Sequence, residues 1–337
     1  MPHVPPWLVR RLVVDPLFFL IALAGVLVSP LVLLISAVVD VVLPGRLRTT
    51  RLLALGVVYL ACEAVALVVL FALWIRGGFG FAMSSAKVEE LHHRFLRWWL
   101  SRLIGAATKL LGIKIELDEP QAPRAGAVLV FPRHAGPGDS MLIAQLLMVA
   151  YSRRPRVVMK DTMQWAPTID IVGNRLGGCF IRPADRRANR FIERIGELAD
   201  GLGDQDAFVL FPEGGNFTLR RRDAAIEKLR TQGHDAHAEQ AEQMQHVLAP
   251  RPGGALAAIA ASPHADVVFV AHTGLEALSS MGALWRALPL REPIVGRYWR
   301  LAPSEVPDGR DAQIDWLYTW WGTIDTWIGS RARPDEA

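Results

Sequence analysis

The chain has 337 residues, 51% of them hydrophobic and 21% charged, with a mean hydropathy of +0.24. So apolar a chain must bury its surface, which excludes a disordered or fibrous protein. The 37 Lys and Arg against 33 Asp and Glu leave a net charge of only +4, and no basic run carries interleaved aromatics, so nucleic acid is not an expected partner. Two cysteines, Cys62 and Cys179, exclude a disulfide framework and a four-thiolate zinc site.

The apolar excess is concentrated in the first 75 residues. Pro16 to Val39 carries no charge, and a helix of that length spans about 36 Å, enough for a bilayer core. Leu52 to Ile75 is as long and holds one charge, Glu63. Between them Pro44 to Arg51 forms a turn with Arg46, Arg48 and Arg51. The first run is too long for a signal peptide and lacks a small-residue cleavage site. Residues 1–80 are therefore expected to form a membrane helical hairpin. Its basic ends (Arg10 and Arg11 before, Arg76 and Lys87 after) and its basic turn all favour the cytoplasmic side. A hairpin dipping into one leaflet satisfies this, and a two-span hairpin that tolerates the arginines outside is the alternative. Glu63 reads either as a functional intramembrane acid or as a group near water or paired inside the hairpin.

Lys87 to Leu111 has helical apolar spacing, bases on its other face, and Trp98 and Trp99. It reads equally as a membrane-surface helix or as a core-packing one. Beyond residue 112 short apolar runs alternate with helical patterns. Ala127–Phe131, Arg156–Met159, Cys179–Ile181, Ala207–Phe211 and Val267–Ala271 are expected as buried strands. Ser140–Tyr151, Arg186–Ala199, Ala224–Arg230 and Gly254–Ala261 are the expected helices. The fold class is α/β: a mixed, largely parallel sheet flanked by helices behind an N-terminal membrane hairpin. In such sheets ligand-binding residues gather past the carboxyl ends of strands.

The chemistry-bearing residues fall at those ends. After the 127–131 strand comes Pro132-Arg133-His134-Ala135-Gly136-Pro137-Gly138-Asp139, where a glycine-rich turn lets Asp139 fold back on His134. A carboxylate on one imidazole nitrogen fixes the tautomer and leaves the other as a base; the plainer alternative is that Asp139 only caps a helix. After the 207–211 strand comes Pro212-Glu213-Gly214-Gly215-Asn216, a tight loop. After Cys179–Ile181 comes Arg182, which either binds an anionic headgroup or pairs with Glu213. A metal-dependent hydrolase using His134 with His234, His237 or His246 is a rival reading, but the mixed charge of 220–246 is that of solvated helices, and no third ligand has metal spacing.

Together these blocks resemble the glycerolphosphate acyltransferase superfamily, in particular 1-acylglycerol-3-phosphate acyltransferases. His134 to Asp139 matches the His-four residues-Asp motif, Gly178 to Arg182 the second block, Phe211-Pro212-Glu213-Gly214 the third, and Val267–Ala271 the fourth. Val247 to Gly254, with its Pro250-Arg251, and the stretch from Trp299 to Trp327 are similar to the lysocardiolipin and lysophosphatidylinositol acyltransferase branch. Two departures stand out: Arg133 precedes the histidine where Asn is common, and the third block reads Gly214-Gly215-Asn216 instead of Gly-Thr-Arg. Arg220, Arg221 or Arg222 is the candidate to replace the missing cation.

The resemblance implies an acyltransferase domain over 81–337, with a motif core at 127–272 and a Trp-rich extension at 285–330. Its implied reaction moves an acyl chain from acyl-CoA, or from acyl carrier protein, to the free hydroxyl of a lysophospholipid. The first-choice acceptor is 1-acylglycerol-3-phosphate; lysocardiolipin and lysophosphatidylinositol are alternatives, and a membrane-anchored lipid-binding protein with a degenerate site is a third reading. His134 and Asp139 are the implied catalytic pair, with Arg182, Lys160, Glu213 and Gly214 binding substrate. No metal or cofactor is implied. The expected location is the membrane, with the catalytic domain facing the cytoplasm.

Overall fold

A computed structural model describes residues 4–42, 45–118, 125–136, 138–182, 190–275, 281–290 and 292–331. The two apolar runs form long helices, α1 (Trp7–Val42) and α2 (Arg48–Arg76), which pack against each other. Both are long and apolar enough to cross a membrane, and much of their apolar surface is exposed: Leu12 by 72% and Leu27 by 71%. The hairpin is closed by Asp40, whose carboxylate accepts from the Thr50 amide (2.7 Å) and hydroxyl (2.8 Å). An acid there satisfies amide groups at the start of α2 that have no partner within the helix.

Helix α3 (Ala86–Leu111) packs on α2 and settles the choice posed by its sequence: Phe95, Trp99, Leu100 and Leu103 are buried in a core shared with α2, while Trp98 stays exposed. The globular domain follows, built on a seven-stranded sheet. In chain order its strands are β1 (Ile115–Leu117), β2 (Val128–Pro132), β3 (Arg154–Lys160), β4 (Cys179–Ile181), β5 (Asp206–Val209), β6 (Asp266–Thr273) and β7 (Ile294–Leu301). Their spatial order is β1-β7-β6-β2-β5-β3-β4. Strands β2 to β6 are mutually parallel, whereas β7 runs antiparallel to β6 and parallel to β1. Five strands therefore present their carboxyl ends along one rim.

Alternation along the buried strands sorts the core. Leu129 and Phe131 of β2, Phe208 of β5 and Phe269 of β6 face one side. There they meet α6 (Arg190–Ala199), α9 (Pro252–Ala261) and α11 (Arg310–Gly329). Between α6 and α9 in sequence lie α7 (Leu219–Thr231) and α8 (Asp235–Gln243), on the same core. The C-terminal tryptophans belong to this core as well: the rings of Trp316, Trp320 and Trp321 surround Phe269, at centroid distances of 5.3, 5.1 and 6.0 Å. On the other face Val128, Val130, Val209 and Val270 pack on Ile143 and Leu147 of α4 (Asp139–Ala150). Two short helices complete the order, α5 (Pro167–Arg175) and α10 (Met281–Ala287). The expected strands and helices are present with shifted ends; the first part of the expected 186–199 helix lies outside the described residues. Strands β1 and β7 were not expected, because their surface-facing polar residues hide the alternation.

The hairpin is pinned to the domain at both ends. At its start Arg10, only 7% exposed, donates from Nε to Asp170 (2.8 Å) and from Nη2 to Gln164 (2.9 Å). Arg11 pairs with the same Asp170 at 2.8 Å. At its turn Arg48 donates to the Leu288 carbonyl (2.8 Å) and Arg51 to the Leu110 carbonyl (2.7 Å). Midway Glu63, fully buried, accepts from the Thr168 hydroxyl (3.0 Å) and amide (3.3 Å) at the start of α5. Glu63 is thus paired across the seam between hairpin and domain, not within the hairpin.

Removing Arg10 leaves Asp170 buried with Arg11 and Asn174 as its remaining partners. The Arg10→Ala protein is expected to lose roughly 3 kcal/mol. Thermal unfolding of the detergent-solubilised chain measures this, with Arg46→Ala, at an exposed turn position, expected within about 0.5 kcal/mol of the parent.

Candidate active site

His134 and Asp139 leave the end of β2, the central strand of the parallel set, and meet again across the turn. The His134 Nδ1 lies 3.0 Å from Asp139 Oδ2, which also accepts the Gly136 amide at 2.8 Å. Asp139 is fully buried at the start of α4, so the simple capping reading of that residue is incomplete: it caps a turn and holds the imidazole as well. With Nδ1–H given to the carboxylate, the lone pair sits on Nε2. That nitrogen makes no hydrogen bond among the described residues, and 13% of the side chain is exposed. The ring rests on Phe211, centroid to centroid 4.5 Å.

Glu213 arrives from the end of β5, beside β2. It is 1% exposed and accepts two backbone amides, His134 N–H at 2.8 Å through Oε1 and Leu248 N–H at 3.0 Å through Oε2. Burial pushes its pKa up to about 8, against the pull of those two amides and of the neighbouring Arg133 guanidinium, which favour the charged form. Glu213 was expected to bind substrate. In the structure both carboxylate oxygens accept backbone amides, one from the histidine and one from the 247–254 segment. Gly214 follows in the left-handed region (φ +68°), and a Cβ there would lie 3.2 Å from the Arg251 guanidinium. Glycine is required at this point both for the turn and for the close approach of that cation.

Lys160 ends β3 and is paired in register with Ile181, the residue before Arg182. Both cations are exposed and stand on the same rim as His134. Strand spacing puts their strands about 10 and 14 Å from β2. They are neighbours of each other but not of the His134–Asp139 pair. Of the three arginines proposed to replace the third-block cation, Arg221 turns back to the loop, donating to the Asn216 carbonyl at 2.9 Å. Arg222 is turned away to the Met244 and Glu242 carbonyls, both at 2.6 Å.

Three residues make contacts that the sequence did not announce. Arg133 donates to the His272 carbonyl (2.6 Å) and faces Glu213, so it is a buried tie and not a solvent-facing cation. His272, one residue past the fourth block, places Nε2 3.7 Å from Asp139 Oδ2. Arg251 lies over Gly214. Only the position of each, next to a block at a strand end, could have signalled it. The histidines of the hydrolase reading are elsewhere: His237 bonds Asp315 at 3.0 Å and stacks on Tyr318, and His246 lies against Gly329.

An apolar cavity of about 350 Å³ opens beneath this rim, on the α4 face of the sheet. Asp139 and His272 line its near end; Val130, Val270, Leu146 and Tyr298 carry it towards the far end of the strands.

A family model described as Acyltransferase matches residues 113–272. Among solved structures, the 1-acyl-sn-glycerophosphate (LPA) acyltransferase PlsC from Thermotoga maritima is similar, with 15% identity and a TM-score of 0.47 over 85% of this chain and 98% of that one. No curated protein matches.

Replacing Glu213 with Gln puts an amide NH2 against a backbone N–H it cannot accept from. The expected cost is about 1–3 kcal/mol, with kcat reduced more than either KM, because the backbone of His134 shifts. The pH dependence has a definite sign. A carboxyl raised from 4.5 to about 8 on folding makes the parent lose stability as pH rises through that window. Glutamine does not titrate, so the gap in unfolding temperature between parent and E213Q is expected to narrow from pH 5 to pH 8.

Proposed function

We propose that this chain, whose residues 113–272 match the acyltransferase family model, transfers a fatty acyl group from acyl-CoA to the free hydroxyl of a lysophospholipid, with 1-acylglycerol-3-phosphate the first candidate acceptor and phosphatidic acid the product. The observation that carries this reading is the His134–Asp139 pair, with its carboxylate member also lining the apolar cavity. Asp139 thus joins the base to an acyl-sized apolar slot.

The chemistry follows from the pair. An alcohol is a weak nucleophile at neutral pH. His134 Nε2 takes its proton as the oxygen attacks the thioester carbonyl, and Asp139 stabilises the imidazolium that forms. Collapse of the tetrahedral adduct expels the thiolate, and the proton on Nε2 passes to its sulfur. No covalent acyl-enzyme is needed. The acyl chain suits the cavity, whose walls are mostly aliphatic. Arg182 and Lys160 are the proposed holders of the acceptor phosphate, with Arg251 and Arg221 as cations at the third block. Glu213 is proposed as a positioning residue and Gly214 as the close-approach point of the loop.

The hairpin fits a lipid acceptor. With its start and turn both bonded to the domain, it is proposed to lie in one leaflet with the domain on the cytoplasmic side; Arg10, Arg11, Arg46, Arg48, Arg51 and Arg76 all sit at its ends and turn.

Purified full-length protein in detergent, given labelled acyl-CoA and a panel of lysophospholipids, tests the reaction by mass spectrometry of products. His134→Ala and Asp139→Asn are each expected to lower kcat by about 10²–10⁴-fold with the fold intact. Retention of most activity by His134→Ala would overturn the assignment. Arg182→Ala is expected to raise the acceptor KM about 10- to 100-fold through loss of a charge-assisted contact, with the donor KM little changed. Equal change in both constants would make Arg182 structural.

A further inference from the structure

A second cavity, about 810 Å³, lies between the start of the hairpin, the end of α2 and helix α5. Val68, Phe71 and Trp74 form an apolar wall, and Arg11, Asp15 and Arg175 the polar end. It is a different place from the acyl-transfer site. Helix α5 connects β3 to β4, the edge strand three places along the sheet from β2, so its last residue, Arg175, lies on the flank of the sheet away from His134. None of His134, Asp139, Lys160, Arg182 or Glu213 lines this cavity.

Arg175 has no carboxylate of its own here. Arg10 and Arg11 face Asp15 and Asp170, and Glu63, the third acid of the seam, is bonded to Thr168. Asp170 is taken by Arg10 and Arg11, and Asp15 by Arg11 at 2.9 Å. Arg175 gives Nη1 to the Leu70 carbonyl (2.8 Å) and the His92 ring (3.1 Å). Among the described residues no carboxylate pairs with it, and its Nε and Nη2 make no hydrogen bond. Burial, first, and the nearby Arg11 pull its pKa down to about 10, against a smaller opposing pull from Asp15. It is still fully charged at neutral pH. A half-buried, unpaired guanidinium at the end of a cavity is an anion site in waiting.

The apolar wall decides which anion. Val68 and Phe71 are 56% and 59% exposed, and Leu12 beside them 72%. They continue the lipid-facing surface of the hairpin, so a small hydrophilic anion would leave them wet. We propose that the groove holds one anionic glycerophospholipid, its phosphate on Arg175 and its acyl chains along Val68, Phe71 and Trp74, as a wedge between hairpin and domain. A monoanionic headgroup gives Arg175 its counter-charge. A zwitterionic one brings a second cation towards Arg11 and adds no net negative charge.

Full-length protein in detergent is titrated with phosphatidylglycerol or phosphatidylcholine, and retained lipid is counted by native mass spectrometry. One phosphatidylglycerol is expected to survive activation that strips phosphatidylcholine. Arg175→Gln is expected to weaken its retention about tenfold or more. Arg175 also holds the Leu70 carbonyl, so Ser84→Trp, which fills the groove from an exposed lining residue without touching the arginine, serves as an independent variant and is expected to act alike. Phosphatidylglycerol should raise the unfolding temperature of the parent and of neither variant. Equal retention of both lipids, or unchanged retention in both variants, would reduce the groove to part of an unselective lipid belt. Competition by inorganic phosphate at the same concentration would make it a free-anion site. The transferase assay is read separately, so loss of this site and loss of the proposed reaction are distinguishable.

Discussion

Everything at the catalytic rim depends on holding two carboxylates out of water. A buried acid needs donors, and here they are three backbone amides and one imidazole, from segments that must therefore stay in place. Asp139 draws in the Gly136 amide and the His134 ring. Glu213 draws in the amides of His134 and Leu248, joining the loop after β2 to a segment more than a hundred residues on. The histidine is gripped twice, by its ring through one acid and by its backbone through the other. Its freedom is spent in the fold itself, which is the pre-organisation that the proposed role of a base in proton transfer requires.

The parts of this arrangement that could be read in the sequence are those that repeat a local rule. Buried parallel strands show as apolar runs, and a glycine-rich turn between a histidine and an aspartate shows as a loop able to close. Those rules gave the central strands, the His134–Asp139 pair and the shared rim of Lys160 and Arg182. What sequence could not supply was the purpose of Glu213. A carboxylate at a strand end looks the same whether it faces a ligand or two amides, because its partners are brought by folding. Arg133 and His272 were hidden for the same reason. Strand β1, at the sheet edge, and β7, beside it, were missed because polar and glycine residues interrupt their apolar runs.

The hairpin teaches a related point. Its hydropathy announces a membrane segment, and hydropathy alone does not say how that segment lies. The answer rests on polar residues, Arg10, Arg48, Arg51 and Glu63, whose partners Asp170, Leu288, Leu110 and Thr168 belong to the domain. Arginines that look like topology signals are hydrogen-bond donors to specific carbonyls. The same side chains satisfy both descriptions, since a cation barred from the bilayer core must find its partners on one side of it.

Those distant partners also set an order of events during synthesis. The ribosome delivers α1 and α2 first, when Arg10 and Glu63 have nothing to bond. Asp170 and Thr168 emerge about a hundred residues later, and Leu288 more than a hundred after that. At five to twenty residues per second the young hairpin waits for roughly ten seconds or more with a buried-type acid and cations unpaired. It can rest at the lipid surface in that interval but cannot settle. Final seating of the anchor is thus a late step, completed by the catalytic domain folding down upon it.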